Sequence, residues 1–354
     1  MRQAPFFGQD IHGHWNQERN DSAIMKKLLS VLLSLMMILT LCAGCASASA
    51  EDLKVALCVA ETLGDLGFYD SANEGLKRLE ADFGVTGSVV ECKSDASMYQ
   101  VALVEAAETH DIVVAVGWQF WDGLTAVAPE MPETKFIFVD NGLDGVGDNL
   151  LSIVYAENQG SFLAGYIAMK LSENATVGVI GGENSDTINN FIVGYKQGAL
   201  HANPAGTVLD PIYTDDYEAP DKGKEAALSL YSQGADVVYQ VAGKTGLGVF
   251  EAAQEQGKYA IGVDSDQKYV NPEVIVCSMM KRVGDSVYDV ISTYIANGAF
   301  AGGTIWEADM STGLVGLGYG DDTMPQQVSD ELKAEVEALA QQIIDGAITV
   351  ESTR

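Results

Sequence analysis

The chain is poor in positive charge, histidine and cysteine, and each shortage closes off a class of function. Its 354 residues carry 20 Lys and Arg against 50 Asp and Glu, a formal net charge of −30. Such a field repels phosphate backbones and anionic headgroups, so nucleic-acid binding and polybasic membrane docking are not expected. The four histidines, His12, His14, His110 and His201, form no H-E-x-x-H, and neither G-x-S-x-G nor G-x-x-x-x-G-K-[ST] occurs. His110 and His201 each end an expected helix and read as capping or solvent-facing groups. The five cysteines (42, 45, 58, 92 and 277) make no CxxC…CxxC pair and no Cys/His cluster. Cys58, Cys92 and Cys277 sit in apolar runs and read as small core hydrophobes, with no disulfide framework. No cofactor, no resident metal and no catalytic constellation is expected. The glycine cluster Gly243-Lys-Thr-Gly-Leu-Gly248 holds its Lys inside the cluster, which disfavours a phosphate loop. It still offers helix N–H groups to a ligand hydroxyl.

One long apolar run is present. Residues 25–45 read MKKLLSVLLSLMMILTLCAGC. Lys26 and Lys27 precede an apolar stretch that is short for a bilayer span and fits the core of an export signal. It ends in Ala43, Gly44 and Cys45, the pattern of a bacterial lipobox, with Cys42 where Leu usually stands three places before the acylated Cys. Met25 opens a complete signal by itself, so residues 1–24, which are polar and aperiodic, read as an extension upstream of the true start. Residues 46–52, rich in Ala and Ser, read as a tether. No later run is long and apolar enough to suggest a second membrane segment.

From Leu53 onward short apolar, β-branched runs alternate with amphipathic stretches. The runs are 53–60, 85–92, 111–117, 135–140, 150–156, 175–182, 205–213, 235–243, 259–264 and 274–279. Helical stretches are expected at 72–83, 101–109, 161–171, 189–201, 222–232, 246–256, 283–297 and about 328–344. This alternation predicts βαβ units and parallel sheets covered on both faces. So many strands predict two α/β domains, with a crossover near 156–160. No basic helix-turn-helix precedes the first strand. Four clusters fall at expected C-terminal strand ends, where open α/β sheets bind ligands: 64–75 (GDLGFYDSANEG), 139–141 (VDN), 215–224 (DDYEAPDKGK) and 262–267 (GVDSDQ), the last followed by SMMKRV at 278–283.

The phrases GSFLAGYIA (160–168), VGVIGGE (177–183), FIVGYKQGA (191–199), GADVVYQVAGKTGLGVFEAA (234–253), GKYAIGVDSDQ (257–267) and SMMKRVGDSVYDVI (278–291) resemble, in order, those of the basic membrane protein family. Its members are substrate-binding lipoproteins of ABC importers and include purine-nucleoside receptors. The resemblance implies a type I periplasmic-binding-protein fold of two Rossmann-like lobes joined by a multi-strand hinge. The lobes are expected at 53–156 plus about 278–310, and at 157–277 plus about 311–354. It further implies a monomer anchored outside the cell membrane by an acyl chain on Cys45, with no other membrane contact. Such a protein captures a nucleoside in the interlobe cleft and delivers it to an ABC permease.

Carried over residue by residue, the resemblance implies that Phe68 and Tyr217 stack on the two faces of a base. Asp140 reads base N–H donors, Asp264 and Lys281 bind ribose hydroxyls, Gly243 gives a backbone contact, and Asp65 matches a loop Asp. Tyr69 and Asp70 stand where the family usually has Asn-Gln, and AETLG (60–64) replaces its Asp-rich start. These departures place base selectivity under different side chains. Trp118 and Trp121 are further candidates for the cleft. Two other readings fit the residues: a sensory protein of the same fold that binds a sugar or signal molecule, and a nucleoside hydrolase or phosphorylase. The latter needs a metal-binding Asp cluster or a phosphate site.

Overall fold

The computed structural model describes residues 52–353. The expected upstream extension, the export signal, the Cys45 lipidation site and all but the end of the tether lie outside the described residues. The first half of the chain runs β1 (Lys54–Val59), α1 (Phe68–Phe83), β2 (Thr86–Glu91), α2 (Met98–Ala107), β3 (Ile112–Val116), α3 (Trp121–Val127), β4 (Lys135–Val139), β5 (Leu150–Tyr155) and α4 (Glu157–Leu171). There follow β6 (Thr176–Gly181), α5 (Asp186–Ala202), β7 (Thr207–Val208), β8 (Ile212–Tyr213), α6 (Pro220–Ser232), β9 (Val237–Val241), α7 (Leu247–Gln256) and β10 (Tyr259–Asp264). The chain ends with β11 (Ile275–Lys281), α8 (Val283–Asn297), β12 (Thr304–Ala308), β13 (Val315–Gly318) and α9 (Asp330–Ile344).

Two sheets result. The first has the order β12-β5-β4-β3-β1-β2 and is parallel throughout. The second has the order β13-β11-β10-β9-β6-β7, with β8 also on β6, and only β13 runs antiparallel. Central strands such as IVVAV in β3 and VVYQV in β9 are buried at every position, because helices cover both faces of a parallel sheet. The chain passes between the sheets at Ala156, at Arg282, and between β12 and β13. These crossings are tied together by Ala156 N–H to the Ala308 carbonyl and Arg282 N–H to the Leu314 carbonyl, both 2.9 Å. All of β11 belongs to the second sheet, so the second crossing falls a few residues after the expected boundary near 278.

Each expected strand run contains strand, but 205–213 splits into the two-residue β7 and β8. Pro211 stands between them and has no N–H for a ladder. Helix α1 starts at Phe68, four residues before the expected start. The Asp65 carboxylate accepts the N–H groups of Gly67, Tyr69 and Asp70 at 3.1, 2.9 and 3.1 Å, which satisfies donors that the first turn cannot pair internally. Three elements gave no periodic signal: α3, the edge strand β12 and the short β13.

Candidate ligand-binding cleft

The C-terminal strand ends of the two sheets face one another across a cleft. Its inner cavity is lined from the first lobe by Asp65, Phe68, Tyr69, Trp118, Gln119 and Asp140. The second lobe contributes Phe191, Tyr217, Gly243, Lys244, Asp264 and Lys281, among others. All eight positions singled out from the sequence therefore meet in one place. Trp118 joins them. Trp121 is not among the lining residues and packs edge-on against Phe138, ring centroids 6.2 Å apart.

The two lobes use the same backbone device. Asp140 directly follows β4 and Asp264 ends β10, and both have left-handed φ, +83° and +65°. Such φ values are uncommon for residues other than glycine and cluster at functional sites. Here they aim two carboxylates from opposite sheets at Lys281, the last residue of β11. Lys281 Nζ lies 2.8 Å from Asp140 Oδ1 and 3.6 Å from Asp264 Oδ1. It also stands 4.4 Å from the ring centroid of Phe68 and 5.0 Å from that of Phe191. Burial opposes the Lys281 charge, but Asp140, Asp264 and Glu157 outweigh it and raise the ammonium above the usual lysine value. Burial pushes the Asp264 carboxyl up to about 7, even though Lys281 pulls the other way. Asp264 Oδ1 is buried and has no hydrogen-bond donor. Asp140 thus joins Asp264 and Lys281 in one charged cluster.

Two aromatic rings reach the cavity from opposite lobes. Phe68 opens α1 and meets Tyr69 edge-on, with centroids 5.0 Å apart. Tyr217 precedes α6, and its ring lies so close over Gly182 that any Cβ there would overlap it. The Tyr217 carbonyl accepts the Thr245 N–H at 3.0 Å, which fixes the loop to the turn after β9. Asp65 lines the cavity, but three backbone N–H groups hold its carboxylate, so its visible work is to position the Phe68 turn. Sequence reasoning assigned no role to Gln119, Phe191, Glu218 or Lys244. Glu218 stands in the DDYEAPDKGK cluster, and Lys244 stands in the glycine cluster 243–248.

Lys244 and Glu218 instead form a cross-cleft contact. Thr62 Oγ1 of the first lobe donates to Glu218 Oε2 at 2.9 Å, and Lys244 Nζ is 3.2 Å from the same oxygen. Gln267 Nε2 donates to the Leu66 carbonyl at 3.1 Å, again from lobe to lobe. The conformation is closed. The inner cavity has a volume of about 60 Å³, well under the roughly 300–1,000 Å³ of ordinary small-molecule sites. An organic ligand therefore enters by parting the lobes. Among the described residues no group of three or more His, Cys, Asp or Glu could hold a metal ion, and no helix is long and apolar enough to cross a membrane.

One parallel and one mostly parallel sheet, a triple crossing and a strand-end cleft with residues from both lobes define a two-lobe solute-binding protein. Comparison with known proteins specifies the family. Residues 52–354 match the family model described as ABC transporter substrate-binding protein PnrA-like. The chain is 31% identical over 331 residues to Basic membrane protein A1 of Borrelia garinii subsp. bavariensis, covering 92% of this chain and 96% of that one. It is 33% identical over 328 residues to the CD4+ T-cell-stimulating antigen of Listeria monocytogenes, covering 85% and 89%. A crystal structure of an ABC transporter solute-binding protein from Aeropyrum pernix superimposes with a TM-score of 0.75 at 26% identity, covering 84% and 92%. The chain belongs to the basic membrane protein family of ABC-transporter substrate-binding proteins. It is a binding protein, not an enzyme, and its work implies a small-molecule ligand and a permease partner.

Proposed function

We propose that this receptor captures a nucleoside, holding the flat base between Phe68 and Tyr217 and the ribose against the Asp140–Lys281–Asp264 cluster. The carrying observation is Asp264 Oδ1, an acceptor buried in the cavity without a donor, beside an ammonium already engaged by Asp140. A vicinal diol supplies donors to such carboxylates and acceptors to the ammonium. Gly243 presents the turn after β9 to the same cavity, and Tyr69 backs Phe68. The protein acts as a monomer outside the cell membrane, held by lipid on Cys45 alone. Ligand bridges both lobes and favours the closed state that the ABC permease recognises. Ligand must therefore bind that state better than the open one.

The test is calorimetric titration with guanosine, inosine and ribose, together with mass spectrometry of small molecules released when the purified protein is denatured. Nucleosides are expected to bind and ribose alone to bind far more weakly. Phe68→Ala should weaken nucleoside binding about tenfold or more, since one base–ring stack contributes roughly 1–3 kcal/mol. Tight ribose binding, or full affinity in Phe68→Ala, would overturn the reading in favour of a sugar or signal-molecule receptor.

A further inference from the structure

Glu61 and Gln119 form an acceptor pair that the nucleoside site described above leaves unused. Glu61 follows β1 and is 4% exposed. Its Oε1 accepts from Gln119 Nε2 at 2.6 Å. Its Oε2 has no hydrogen-bond partner, and neither has Gln119 Oε1. Buried acceptors without donors are uncommon in folded proteins and costly. Here two of them belong to side chains bonded to each other.

Their surroundings point the same way. Both residues line an outer compartment of the interlobe crevice of about 640 Å³, with Glu183, Asp215 and Asp216 contributed by the second lobe. Among the described residues no Lys or Arg lines it, while Tyr99, Trp118 and Tyr217 do. Trp118, Gln119 and Tyr217 also line the inner cavity, so the two spaces adjoin. A flat ligand between Phe68 and Tyr217, with its sugar at Lys281, has its other edge available to Gln119. The complement of this edge is a group with adjacent N–H donors and no acceptor.

We propose that Glu61 and Gln119 read a donor–donor N–H edge on the captured ligand, selecting an aminated heterocycle of the guanine type. This rests on the nucleoside reading and names the base class within it. A free guanidinium offers the same chemistry, so the test separates the two sources.

The experiment titrates the full chain with guanosine (N1–H and amino donors), inosine (N1–H alone), purine riboside (neither) and agmatine (a free guanidinium). Guanosine is expected to bind at least about tenfold more tightly than purine riboside, with inosine between, because hydrogen bonds to charged groups are among the stronger ones. Glu61→Gln, which keeps the side-chain shape, should bring guanosine to within about threefold of purine riboside and leave purine riboside itself unchanged. Gln119→Met should act in the same direction. Retained purine riboside binding shows that Glu61→Gln is folded, and an unshifted thermal midpoint shows the same for Gln119→Met. Equal binding of guanosine and purine riboside by the unsubstituted protein, or an undiminished guanosine advantage in Glu61→Gln, overturns the inference while the nucleoside reading stands. If no nucleoside binds but agmatine does, and Glu61→Gln abolishes that binding, the nucleoside reading falls and the acceptor pair stands as a guanidinium site. If agmatine fails too, both fall.

Discussion

Removing the Lys281 ammonium separates a charged cluster that shapes the site from one that merely decorates it. The side chain is 3% exposed, and two buried carboxylates from different sheets depend on it, at 2.8 and 3.6 Å. Lys281→Met keeps the stem that packs on Phe68 and Phe191 but leaves Asp140 and Asp264 without their cation. Breaking a buried pair by removing one partner costs about 3–5 kcal/mol. Two carboxylates lose the same partner here, so a loss in the upper part of that range is expected. The assay is urea unfolding followed by tryptophan fluorescence at pH 5 and pH 8. A carboxyl whose folded pKa exceeds its unfolded value holds a proton in the folded state that the unfolded state has released. Stability then falls as pH rises from the ordinary carboxylate value up to the folded one. Asp264 is at about 7 with the ammonium present; without it, that window extends higher. The deficit of Lys281→Met should therefore be larger at pH 8 than at pH 5. Adding Asp140→Asn should recover a substantial part of it. A deficit below about 1 kcal/mol at pH 8, or one independent of pH, refutes the reasoning.

Burial and the neighbouring carboxylates of Glu218, Glu183 and Asp65 push Glu61 up to about 8; Cys92 and Tyr99 also stand near it, and Lys244 pairs with Glu218 and reaches Thr62 Oγ1 at 3.4 Å. Reading N–H donors requires the carboxylate, so guanosine affinity should rise from pH 6 to pH 8 and then level off, and a fall over that range would mean that a protonated Glu61 donates instead. Thr62→Val removes the hydroxyl that reaches Glu218 across the cleft, so ligand affinity should drop by roughly threefold to tenfold and small-angle scattering should show a larger radius of gyration without ligand; unchanged scattering would assign closure to other contacts. Gly75→Ala places a Cβ against the Gly284 backbone where α1 crosses α8, which should cost about 1–3 kcal/mol and lower the urea midpoint. Burial pushes the Cys58 and Cys277 thiols up to about 12, so peptide mapping after alkylation at pH 8 should find both unmodified until the protein is unfolded.

The strands were legible because burial on two faces forces uninterrupted apolar, β-branched runs, and VVAV or VVYQV cannot be mistaken for solvent-facing segments. The elements that escaped notice lack that pressure. In β12 the run Thr304-Ile-Trp-Glu-Ala308 lies at a sheet edge, with Thr304, Ile305 and Glu307 exposed, so its composition carries no alternation. β13 contributes only Val315, Gly316, Leu317 and Gly318. Its place is set by pairing with β11, a long-range fact that no local window holds. The site residues came from matching motifs, and their convergence on one cavity follows from their common location at strand ends. What matching could not supply is that Asp140 bonds Lys281 from the opposite sheet. Matching marked AETLG (60–64) as a departure from the family but gave no role to Glu61 within that stretch. Its importance arises only when Gln119, from the turn after β3, folds against it.

The geometry also explains how two contact zones divide the work of closure. Lys281 lies one residue before the crossing at Arg282, and Asp140 follows β4, which pairs with hinge-bearing β5. A rotation about the crossings moves atoms near the axis least, so this cluster stays nearly assembled as the lobes part. Thr62 follows β1, three strands from β5 in the first sheet, about 14 Å at the usual interstrand spacing. Its contacts with Glu218 and Lys244 are made from the second lobe and break early on opening. The charged cluster therefore stays open to a ligand before closure, while the Thr62 contact is completed only on closing; Glu61 and Gln119 both belong to the first lobe and keep their bond in either state. Affinity for the open state and preference for the closed one then reside in different residues. That is the condition under which a ligand can both enter and drive the change that a permease reads.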